Sequence, residues 1–84
     1  MFEQEIKRVL EAIALQETQG ATLQQRLLYV MEEIRGEERA DRACVAFAGH
    51  HNPERVLTIQ ALTILRDQLA EKWKRQQRAE KVST

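Results

Sequence analysis

Apolar residues recur along the chain at steps of three and four, and their phase shifts at a few small or turn-forming residues. Phe2, Ile6, Val9, Leu10 and Ile13 fall on one helical face. Glu3 and Glu5 stand in the first turn, where acidic groups favour the helix dipole. A helix is predicted over about 2–17, with Gly20 as a stop that tolerates left-handed backbone. A second helix is predicted from Thr22. Thr22 and Gln25 are spaced as a capping box, in which each side chain accepts the other residue's backbone N–H. Leu23, Leu27, Val30, Met31 and Ile34 then form a stripe, widened by Leu28.

The phase changes at Gly36. In 37–48 the apolar positions are Ala40, Ala43, Cys44 and Phe47. At 3.6 residues per turn this face points about 140° away from Leu27, Met31 and Ile34. A straight helix through both would have to bury opposite sides. The spacing therefore predicts a break at Gly36 and a third helix over 37–48, with a kinked continuous helix as the alternative. Gly49, His50, His51 and Asn52 make a turn. Asn52 suits the N-cap and Pro53 the first helical position. A fourth helix is predicted over about 53–78. Leu62, Leu65, Leu69 and Trp73 carry its main stripe, and Leu57, Ala61 and Ile64 an adjoining one that implies two neighbours. Val82, Ser83 and Thr84 are expected to fray.

The expected fold class is all-α: a small bundle of about four helices with a long C-terminal helix, one domain over 1–84 with a frayed tail at about 80–84. The expected core is Ile6, Val9, Leu10, Ile13, Leu27, Met31, Ile34, Cys44, Phe47, Leu57, Leu62, Leu65 and Leu69. At about 26 residues the last helix would outrun the bundle, carrying Trp73 on its overhang between Lys72 and Lys74. The Leu62, Leu65, Leu69 register continues into Lys72 and Gln76, so a long coiled coil is not expected.

With 84 residues, the chain makes one domain with a small core, for which association is a common remedy. Lys and Arg number 13, Asp and Glu 13, so the basic surplus typical of non-specific nucleic-acid or anionic-membrane binding is missing. One cysteine excludes an intramolecular disulfide. No apolar run approaches the roughly 18 residues that span a bilayer. The acidic start does not read as a signal peptide, so a reducing, cytoplasmic setting is expected. The charges are segregated: residues 1–42 carry −3 and residues 43–84 carry +3. Lys72, Lys74, Arg75, Arg78 and Lys81 concentrate the positive end. Cations favour a helix C-terminus without any partner; they also suit an acidic partner, or the acidic half of a second copy.

Candidate chemistry is sparse. Cys44, His50 and His51, with Asp41 a turn away, are too few and too closely spaced for a recognisable zinc site, though they leave metal binding as a minor alternative. Cys44 on an apolar face is expected to be inert rather than a nucleophile. Glu32-Glu33 and Glu37-Glu38 are neighbours that diverge on a helix, not an acid–base pair. No enzyme and no cofactor is expected. The segments 37–48 and 53–66 could instead form a DNA-binding helix-turn-helix, with Arg42, His50, His51, Arg55, Thr58 and Gln60 facing the duplex. The long turn, the apolar start of the last helix and the nearby Glu37, Glu38, Asp41 and Glu54 favour an ordinary helical corner. The leading expectation is a non-enzymatic protein–protein interaction module: an adaptor, regulator or chaperone-like subunit that docks on another protein or on itself, away from membranes. Its contact residues would be Leu69, Lys72, Trp73, Lys74 and Gln76, with Tyr29, since Trp and Tyr are enriched at interfaces.

Overall fold

A computed structural model of the chain describes the backbone of residues 2–83 and the side chains of residues 3–80. Within that range there are three helices and no strand: α1 (Phe2–Thr18), α2 (Leu23–Ala48) and α3 (Pro53–Ser83). Both turns use the chemistry expected of them. Gly20 takes a positive φ of 83° after α1, and the Ala21 N–H donates back to the Gln16 carbonyl at 2.9 Å. The Thr22 hydroxyl accepts the Gln25 N–H at 3.1 Å, and Gln25 Oε1 accepts the Thr22 N–H at 2.9 Å, completing the capping box. Gly49 closes α2 at φ 78°, its N–H donating to the Val45 carbonyl. Asn52 Oδ1 accepts the Glu54 N–H at 3.0 Å and caps α3 ahead of Pro53.

The break expected at Gly36 is absent, so three helices replace the expected four. Gly36 has no positive φ and lies inside α2. A helical glycine costs only about 1 kcal/mol, too little to end a helix supported on both sides. The conflict between the two apolar faces is resolved differently. The face that begins with Val30 and Ile34 continues through Glu37 and Asp41, which meet polar partners on α3 and in the turn before it. Arg55 Nε donates to Glu37 Oε2 at 3.2 Å, and His51 Nδ1 lies 2.8 Å from Asp41 Oδ2. These pairs lay α3 antiparallel along α2. The second apolar face is covered only in part: Ala40 and Cys44 are half-buried, Ala43 is exposed and Phe47 is 93% exposed.

The core is Val9, Ile13, Val30, Ile34, Leu62 and Leu69, with Ile6, Leu23, Leu27, Tyr29 and Leu65 packed against it. Three expected core residues are on the surface instead. Leu10 flanks the contact face of α1, Leu57 points off the outer side of α3, and Phe47 projects from α2. Each lacks the second neighbour that a wide apolar arc implies. Met31 and Cys44 are only half-buried. Val30 is fully buried at the centre of the cluster, and Thr58 is buried with its hydroxyl donating to the Glu54 carbonyl. The tail expected to fray is helical to Ser83; Thr84 lies outside the described residues.

Helix lengths set the shape. With 17, 26 and 31 residues, α1, α2 and α3 run about 26, 39 and 46 Å. α1 packs chiefly on α3 and lightly on α2. Arg8 reaches Glu33 at 3.0 Å, and Glu17 pairs with Arg26 across the first turn, so α1 lies antiparallel to the first half of α2. The far half of the α2–α3 hairpin has no third helix. The radius of gyration is 15.4 Å, against about 12 Å for a compact chain of this length.

Leu62→Ala is expected to cost about 2–5 kcal/mol in urea unfolding, whereas Leu57→Ala stays within about 0.5 kcal/mol. At high dilution, Gly36→Ala is expected to stabilise by about 0.5–1 kcal/mol, because a Cβ there meets nothing within 4 Å. A loss of stability from Gly36→Ala would contradict an unbroken α2.

Candidate interaction surfaces

The residues singled out for DNA contact divide into two sets. Arg42, His51 and Gln60 line one cleft between α2 and α3, together with Glu38 and Asp41. The carboxylates give this cleft mixed sign, and Asp41 engages His51, so it is a poor phosphate site. His50 is exposed in the turn, its Nδ1 3.1 Å from the His51 carbonyl oxygen. Arg55 and Thr58 are turned inward: Arg55 is held by Glu37, and Thr58 is 3% exposed. Thr58 offers no surface to a base while α2 and α3 stay paired.

The Cys44 thiol donates to the His50 carbonyl at 3.3 Å and ties the end of α2 to the turn. That contact is made to the His50 backbone, not to its ring. Among the described residues no group of three His, Cys, Asp or Glu is arranged to hold a metal ion. No described helix is long and apolar enough to cross a membrane.

The expected docking residues are also dispersed. Leu69 is 5% exposed and belongs to the core, so it offers no contact surface. Trp73 and Lys74, with Gln77 and Arg78, line a shallow recess on the last turns of α3. Trp73 is half-buried and the other three are exposed. Lys72 faces a different recess, shared with Ile64, Asp67, Gln68, Glu71 and Arg75. Gln76 is exposed and lines neither. Tyr29 sits on α2 against the core, beside Arg8 and Glu33. Burial pushes its phenol above the ordinary value of 10.0, with Glu33 adding to the shift. Arg8 is raised too, chiefly by its hydrogen bond to Glu33.

Two features escaped the periodicity. Gln77 and Arg78 complete the Trp73 recess; their spacing of four and five residues from Trp73 was the available signal. Phe47 stands free at the hairpin end, and the 140° offset between the halves of α2 was the clue to it. Compared with protein-family models, with curated proteins and with solved structures, the chain shows no significant match.

Tyr29 is the single tyrosine, so tyrosinate absorbance reports it alone. Its midpoint is expected above 10 in the folded chain and at the ordinary value in denaturant. A raised pKa favours the protonated form on folding, so this contribution is complete below pH 10 and is lost as pH rises through the folded midpoint. Tyr29→Phe should therefore flatten part of the alkaline fall in stability. A folded midpoint at or below 10 would contradict the burial of the ring.

Proposed function

We propose that the protein is a non-enzymatic interaction module that docks on an acidic surface of another protein through the C-terminal turns of α3. One observation carries this reading. Lys74 and Arg78 share the recess of a half-buried Trp73, Lys72 and Arg75 line another recess on the same helix, and among the described residues none of the four has an ion-pair partner. The i,i+4 arrangement of Glu71 and Arg75 would allow a pair, yet Arg75 is left for other company.

The physical division of labour follows from the residue types. Trp73 brings large apolar area at low entropy cost and acts as the anchor. The cations steer an acidic partner toward it and set the salt dependence of the encounter. Lys72 and Arg75 point to one recess, Lys74 and Arg78 to the other, so the charge wraps the helix end and does not form a flat phosphate-tracking stripe. The zero net charge of the whole chain also favours a defined acidic protein patch over a polyanion.

A photo-crosslinking side chain at Gln77, used in the native cells, is expected to capture a protein whose contact surface is acidic. The Trp73→Ala chain should lose that crosslink while its helical circular dichroism is unchanged. Absence of a crosslinked protein, or unfolding of Trp73→Ala, overturns the reading.

A further inference from the structure

α1 covers one flank of the α2–α3 hairpin and leaves the opposite flank open. On α2, Arg26 and Glu33 turn toward α1, where they meet Glu17 and Arg8. Met31, Glu38 and Arg42 lie about 150° round the same helix. Glu38 lines two recesses on that side. One is shared with Met31, Arg35 and Arg66, the other with Arg42, Val56 and Ile59. The common residue makes them one groove between α2 and α3. Met31, Val56 and Ile59 are half-buried along it, so apolar surface of each still faces solvent.

We propose that this groove binds an amphipathic helix of another protein, one that carries an acidic, a basic and an acidic residue at successive turns beside its apolar stripe. Site and occupant both differ from those of the Trp73 recess, and the inference does not rest on that reading.

The charges select the occupant. Along α2 the groove presents Arg35, Glu38 and Arg42 at steps of three and four residues, so the sign alternates once per turn over about 10 Å. Arg66 adds a second cation at the Arg35 end. Among the described residues Glu38 and Arg42 have no ion-pair partner. Arg35 and Arg66 are held by Glu32 and Asp67 of their own helices, in water-exposed pairs that contribute little. Asp41 is taken up by His51. A helix laid in the groove has the same pitch as α2. It can set a carboxylate against Arg35 and Arg66, a cation against Glu38 and a second carboxylate against Arg42. The chain's own C-terminal turns are no substitute: Lys72, Lys74, Arg75 and Arg78 would meet Arg35 and Arg66 with like charge.

α1 shows what kind of element this hairpin accepts. It lies against the other flank with Val9 and Ile13 turned inward, held by Arg8 to Glu33 and by Glu17 to Arg26. The open groove offers the same two ingredients, an apolar floor and a charged edge. A helix seated there would make the hairpin part of a four-helix bundle.

The test uses two stapled helical peptides of about 15 residues, roughly four turns, with the same leucine stripe. One carries Glu, Lys and Glu at steps of three and four beside the stripe; the other carries Lys, Glu and Lys. In fluorescence anisotropy with the full chain, the Glu-Lys-Glu peptide is expected to bind about tenfold tighter or more, the effect of a few exposed pairs turned from attraction to repulsion. The chain with Arg35→Glu, Glu38→Lys and Arg42→Glu should prefer the Lys-Glu-Lys peptide. All three side chains are exposed, so its helical circular dichroism should be unchanged. Equal binding of the two peptides to the full chain, or none, overturns the inference, and so does a preference that survives the charge swap. Light scattering on the full chain alone covers the remaining occupant: self-association abolished by the charge swap gives the groove to a second copy and overturns the proposal. Trp73→Ala should leave the peptide preference intact, so failure here and failure of the Gln77 crosslink are distinguishable.

Discussion

Three helices of unequal length share one short apolar contact, and the rest of the structure depends on where it stops. Val9 and Ile13 of α1 meet Val30 and Ile34 of α2 and Leu62 and Leu69 of α3. An 84-residue chain with so few buried side chains has little stability to spare, of the order of 3–5 kcal/mol. The contact ends with Ile34 on α2, because the next residues of that face are Glu37 and Asp41. From there the hairpin is held by Arg55, by His51 and by the Cys44 thiol, partners that locate α3 without adding much energy. The core end is therefore a small folded unit, and the other end is a two-helix arm that extends beyond α1.

This polarity also separates the surfaces. The arm presents Phe47 and the exposed Ala43. The opposite end presents Trp73 beside Lys74 and Arg78 on α3, a charge pattern that suits an acidic surface.

Much of this was legible in the residues. The capping box of Thr22 and Gln25, the left-handed Gly20, and the Asn52-Pro53 start of α3 are local events, decided by groups within a few positions of one another. Gly36 was misread because its cost is small and the continuation of the buried face was polar: periodicity of apolar residues does not register Glu37 and Asp41 as interior. Phe47 and Leu57 were misplaced for a related reason. Amphipathic spacing shows which face is apolar, not whether a neighbour exists to cover it. Leu69 was assigned to both core and contact surface from its position near Trp73; α1 packs on α3 and closes over it.

A single apolar contact at one end of the hairpin holds the fold, and amide hydrogen exchange on the Phe47→Asp chain at high dilution is the experiment that decides it. Slow exchange is expected around Val30, Ile34, Leu62 and Leu69, and markedly faster exchange from Ala40 to Ala48, where polar links hold the hairpin. Uniform protection along the whole of α2 in that chain would contradict it.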